Sequence, residues 1–165
     1  MTAVFVMDAL VTQAPRPREG HLSVDGAFEP TMPPDLPHTC VYARLGLSPI
    51  HGIGVFAIKP IPAGTNVFAN DRVELVWIEK EALDRAGLLT TERKFYDDFG
   101  ITRGSQIGCP VNFHNLTPGW YCNEPAEGEA SNIDVDAEFN FRASREIAQG
   151  EELTVHYSDF SQAPE

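Results

Sequence analysis

The segment that most limits the fold is the last long run of the chain: Phe141-Arg142-Ala143-Ser144-Arg145-Glu146-Ile147-Ala148-Gln149-Gly150-Glu151-Glu152-Leu153-Thr154-Val155-His156-Tyr157. Its pattern predicts an alternating strand, a tight turn at Gln149-Gly150, a second apolar strand, and a tyrosine where that strand ends. An earlier run has a related shape: His51-Gly52-Ile53-Gly54-Val55-Phe56-Ala57-Ile58-Lys59-Pro60-Ile61-Pro62-Ala63-Gly64. Gly52 and Gly54 flank Ile53 just before an apolar strand. Glycines so placed let the main chain approach a ligand or adopt positive φ, though a strand-entry turn is the plainer explanation. No third glycine opens a helix and no βαβ series follows, which disfavours a dinucleotide site.

Between and around these runs the chain reads as β-rich. Strands are predicted at 41–45, at 54–58 and at 67–69 after a turn at Pro62-Ala63-Gly64, with another where Val73, Leu75 and Trp77 alternate against Arg72, Glu74 and Val76. The period changes over 79–89, where Ala82, Leu83, Ala86 and Leu89 share one helical face. A second short helix is predicted from Thr90 as N-cap, through Phe95 and Tyr96, to Gly100. Residues 101–132 carry loop chemistry, with Gly104, Gly108, Pro110, Pro118, Gly119, Pro125 and Gly128, and strands return from Ile133 to Val155. Residues 1–38 hold six of the thirteen prolines and predict a flexible arm, with Val4-Phe5-Val6 as a candidate edge strand. The remaining 39–165 is expected to form one domain.

Charge separates the function classes. The net charge of −12 divides into −3 over residues 1–38, zero over 39–122, and −9 over 123–165, where eleven acids face only Arg142 and Arg145. A nucleic-acid binder shows the opposite sign, so direct contact with DNA or RNA is not expected. The acids either solvate the surface or attract a basic peptide. No apolar run reaches membrane-spanning length, and Met1 to Leu10 lacks the basic leader of a secretory signal. Cys40, Cys109 and Cys122 form no C-x-x-C pair, and His51 and His114 stand alone, so no metal site is expected and an intracellular setting, cytoplasmic or nuclear, is preferred.

Together the two glycine-bearing runs resemble the SET-domain lysine methyltransferases, whose chains open on a G-x-G-V-F-A segment and close on G-E-E-L-T-x-x-Y. The resemblance spans residues 40–160. It implies a mainly β, β-clip SET-domain fold of several small sheets, with short helices in an insert at 79–98 and a knot-like C-terminal threading. It also implies S-adenosyl-L-methionine as cofactor, met by Gly52, Ile53, Gly54, Val55, Asn123, Glu124 and Tyr157. Tyr157 would be the catalytic residue, its hydroxyl aimed at the methyl-transfer channel, with Tyr121 and Phe160 as channel walls. The substrate would be a lysine on a basic protein.

The centre of the motif set departs from the family. Where relatives carry an asparagine-histidine-serine run and a later proline-asparagine pair, this chain reads Cys122-Asn123-Glu124-Pro125 and then Ser131-Asn132. Asn123 and Asn132 align with the two asparagines, and Glu124 takes the histidine position. Another register pairs Cys122 and Pro125 with the family's following cysteine and proline. His156 stands where aspartate or asparagine is common, and no cysteine-rich zinc module follows Tyr157. Two rivals therefore stay open: a SET-fold binding protein without catalysis, and a β-clip module that binds a small ligand.

Overall fold

Valine and isoleucine at alternating positions drive the core, because β-branched side chains pack well on a pleated surface. In the computed structural model, which describes Leu36 and residues 38–69, 71 and 74–161, Val55, Ile61, Ile133, Ile147 and Leu153 are wholly buried. Each contributes on the order of 2 kcal/mol of hydrophobic stabilisation. The predicted arm, including Val4-Phe5-Val6, lies almost entirely outside the described residues, as do Arg72 and Val73.

The elements run β1 (Ala43–Leu47), β2 (Ile53–Ala57), β3 (Leu75–Glu79), α1 (Lys80–Arg85), α2 (Thr90–Phe99), β4 (Ile101–Arg103), β5 (Gln106–Pro110), β6 (Ile133–Val135), β7 (Phe141–Ala143) and β8 (Glu152–Leu153). Single 3-10 turns lie at Phe113–Asn115, Pro118–Tyr121 and Tyr157–Asp159. The strands form three small sheets, ordered β1-β2-β8, β3-β5-β4 and β6-β7. Every strand pair is antiparallel. Val55 stands opposite both Leu45 and Leu153, which puts it at the centre of its sheet. Outside the sheets, Ile61 and Ile147 exchange both main-chain hydrogen bonds, at 2.9 and 3.0 Å. This is the β-rich set of small sheets with short helices that the sequence predicts.

Several local expectations differ. Residues 67–69 form a turn instead of a strand: Asp71 N–H donates to Phe68 O at 2.9 Å, so the chain bends after one bridge between Asn66 and Arg142. Residues 101–110 are a hairpin and not a loop. Gly104-Ser105 is its two-residue turn, with Gly104 at φ +55°. Gly108 is not a breaker either, since a side chain there would strike the Trp77 ring, which lies across it. In the insert, α1 stops at Arg85, and Gly87 at φ +65° supplies the left-handed exit. The N-cap of α2 is Leu89, not Thr90. Leu89 has no side-chain acceptor, and Glu92 reaches back to accept its N–H at 2.8 Å. The turn before β8 is present, with Glu151 N–H donating to Ala148 O at 3.1 Å and Gly150 at φ +86°. It does not fold β7 onto β8, because β7 pairs with β6 and β8 with β2. Among the described residues no helix is long and apolar enough to cross a membrane.

Candidate active site

Three chain segments meet where two asparagines take over the hydrogen bonding that regular sheet would supply. Asn123 forms an isolated parallel bridge with Thr154, and its carbonyl accepts Val155 N–H at 3.0 Å. Asn132, 3% exposed, accepts Thr154 N–H through Oδ1 at 2.8 Å. Its Nδ2 donates to Glu152 O at 2.8 Å and to Glu151 Oε1 at 3.1 Å. Main-chain groups shut away from water need such partners. These contacts fix Cys122–Glu124 beside the residues leading to Tyr157.

The glycine segment lies against the same asparagine. Asn123 Nδ2 is within hydrogen-bonding reach of His51 O at 3.1 Å, Ile53 O at 3.2 Å and Glu152 Oε1 at 2.9 Å. Its two hydrogens are thus shared among three acceptors. Gly52 sits at φ +49° with open space where a side chain would project, and Ile53 is 43% exposed. Gly54 differs from the sequence reading. The space a Cβ would need there is filled by the Glu152 carboxylate, which also accepts from Ser48 Oγ at 3.0 Å. The missing side chain at Gly54 therefore serves packing within the chain. Val55 turns its side chain wholly into the core.

Tyr157 opens the last 3-10 turn. Its N–H donates to Glu124 Oε1 at 2.8 Å and its hydroxyl donates to Cys122 O at 3.2 Å. Burial pushes the phenol pKa above its ordinary value, and the Glu124 carboxylate adds to this, so the hydroxyl keeps its proton at neutral pH. The Cys122 thiol, buried and near Glu152, is pushed up to about 12 and stays uncharged.

Beside Tyr157 opens a cavity of about 760 Å³. Phe68, Phe99, Trp120, Phe139, Phe141 and Phe160 line it, together with Val155 and Cys122. Asp71, Glu74, Asp97, Asp98 and Glu138 also line it, and among the described residues no lysine, arginine or histidine does. The Phe160 ring lies 6.1 Å from Tyr157 and 6.3 Å from Phe139. Phe139 is held in the left-handed region at φ +60° by a tight loop, in which Asp136 Oδ1 accepts the N–H groups of Glu138 at 3.1 Å and Asn140 at 2.9 Å. Those bonds, the Asn140 ones foremost, hold the Asp136 carboxyl below its ordinary pKa. Such strain in a bulky residue persists only where the surroundings over-determine it.

Of the sequence-derived site residues, Ile53 is bonded to Asn123 and Glu124 to Tyr157, and Phe160 joins the cavity wall. Tyr121 does not line the cavity. Its ring packs edge-on to Phe99 at 5.4 Å, and neighbouring Trp120 takes the wall position. Sequence reasoning also missed Glu152, Phe139 and the Cys122 carbonyl. For Glu152 a signal existed, the second acid of Gly150-Glu151-Glu152. His51 and His114 approach no other ligand set: among the described residues no three His, Cys, Asp or Glu side chains cluster to hold a metal.

A family profile described as SET domain matches residues 52–158. No curated protein sequence matches. Among solved structures, the chain is similar to a Plasmodium falciparum protein described as a histone methyltransferase, with 17% identity, TM-score 0.41, and coverage of 70% of this chain and 91% of that one. It is also similar to the methyltransferase domain of human PR domain-containing protein 2, with 21% identity, TM-score 0.44, and coverage of 70% and 76%.

Proposed function

The chain belongs to the SET-domain family, and from that premise we propose that it transfers a methyl group from S-adenosylmethionine to a lysine side chain of a basic protein. One observation carries the proposal: the Tyr157 hydroxyl and the Cys122 carbonyl, 3.2 Å apart, lie together at the wall of a cavity lined by aromatic and acidic residues.

The residues fit the cofactor. Asn123 Oδ1 receives no hydrogen bond among the described residues, and nearby Gly52 has open space on its Cα while Ile53 is part-exposed. An ammonium group matches a free amide oxygen and nearby carboxylates. S-adenosylmethionine would supply the methyl group already attached to a good leaving group. The chain then has to deliver a neutral, aligned amine.

Of the cavity acids, Asp97 and Asp98 are already paired with Arg93 and Lys94, so Asp71, Glu74 and Glu138 are the ones to attract a lysine ammonium. Past them, the aromatic wall disfavours the charged form and lowers the lysine pKa from its ordinary value of about 10.4. The proton leaves to solvent through the mouth. The Cys122 carbonyl keeps a second lone pair beyond the one engaged by Tyr157, and the phenol oxygen also accepts, so the two can hold the amine hydrogens. Tyr157, protonated, orients the amine and is not its base.

A second reading, a SET-fold binding protein without catalysis, is favoured by the internal use of the Asn123 Nδ2 hydrogens and by glutamate at position 124. Isothermal titration with S-adenosylmethionine separates the two. Saturable one-site binding is expected, and no heat at millimolar ligand would favour the non-catalytic protein.

A further inference from the structure

Tyr157 is attached to the preceding loop at two points, and both lie in one run of three residues. Cys122 O accepts from the phenol hydroxyl at 3.2 Å, and Glu124 Oε1 accepts from the Tyr157 main-chain N–H at 2.8 Å. Asn123 between them is tied down by the bridge to Thr154. The N–H that opens a helical turn has no partner within the turn, and the preceding residue, His156, makes no side-chain cap. A carboxylate from a different segment meets that need with a charge-assisted bond. The ring has little else to hold it. Tyr157 is 43% exposed, and its aromatic neighbour Phe160 stands 6.1 Å away.

We propose that Glu124 is the positioning residue of the site: its carboxylate clamps the Tyr157 main chain so that the phenol stays registered on the Cys122 carbonyl at the cavity wall. Glu124 acts through Tyr157 and touches no reacting atom. This inference rests on reading Tyr157 as the residue that orients the amine. It gives a physical role to the glutamate at a position where a family histidine would stand.

The clamp requires an oxygen acceptor of glutamate length. Glu124→Gln retains that acceptor, while Glu124→Ala and Glu124→His do not place an oxygen there. The Tyr157 amide proton, observed by NMR on the full labelled chain, reports the bond directly. In the wild type and in Glu124→Gln the bond protects this amide from exchange with solvent, and in Glu124→Ala exchange speeds about tenfold. Turnover with labelled S-adenosylmethionine and a lysine peptide gives the second readout. Glu124→Ala is expected to lose about tenfold in kcat, the low end of a charged hydrogen bond, and Glu124→Gln recovers most of it. A Tyr157 amide that exchanges equally fast in the wild type and in a folded Glu124→Ala, or a folded Glu124→Ala with wild-type turnover, overturns the proposal. If the wild type transfers no methyl group to any lysine, the reading of Tyr157 fails, and the amide exchange still decides whether the clamp exists.

Discussion

Asn132 concentrates more structural consequence than any other polar residue of the site. It is 3% exposed, and its amide serves Thr154 N–H, Glu152 O and the Glu151 carboxylate at once. Asn132→Ala leaves a buried donor and a buried acceptor without partners. Each such group costs about 1–3 kcal/mol, so thermal unfolding should show a loss of about 2 kcal/mol or more. An unchanged melting temperature would mean that water replaces the amide. Tyr157 is the opposite case, a residue whose removal should spare the fold. Tyr157→Phe keeps the ring and its packing near Phe160 but deletes the hydroxyl that meets Cys122 O. A single positioned group of this kind is worth about 3–4 kcal/mol in a transition state. Turnover should fall on the order of a hundredfold or more, with cofactor affinity by calorimetry nearly unchanged.

At the scale of elements, the turn before β8 is organised by one carboxylate. Glu151 accepts from Arg145, from Ala148 N–H at 3.0 Å and from Asn132 Nδ2. Led by the Arg145 contact, these bring its pKa from 4.5 down to about 2. A depressed carboxylate stabilises the fold fully above the unfolded-state value and loses that contribution as pH falls through the folded one. The turn should therefore weaken between pH 4.5 and about 2. Because Arg145 is 55% exposed, solvent screening reduces the contribution to about 1 kcal/mol. Melting curves across that window should converge for wild type and Glu151→Gln, and a constant gap would refute the assignment. Elements of this kind are legible in sequence because their signals are local: apolar alternation marks β2, and glycine after Gln149 marks the turn. The β4-β5 hairpin was hidden because Gly104 and Gly108 look alike as letters, while one turns the chain and the other makes room for Trp77. The strand expected at 67–69 gave way to a turn closed by Asp71. In the site, the glycine run and Tyr157 carry motif signals. The choice of Trp120 over Tyr121 as cavity wall depends on the phase of one 3-10 turn, which composition does not encode.

For the whole molecule, charge and cavity agree in sign. The segment from 123 to 165 carries −9, and acids from distant parts of the chain line the aromatic cavity, with no base among its described lining residues. A basic peptide should bind with an affinity that falls severalfold between low and high salt, because screening lengths shrink from about 10 Å at 0.1 M to about 3 Å at 1 M. Affinity independent of salt would place docking elsewhere. Product chemistry tests methyl transfer most directly. The protein is incubated with isotopically labelled S-adenosylmethionine and a library of basic peptides, and the products are sequenced by mass spectrometry. The expected result is a methyl group on lysine in the wild type, with little in Tyr157→Phe. Label on another residue type, equal labelling by the mutant, or no label from a wild-type protein that binds the cofactor would contradict it.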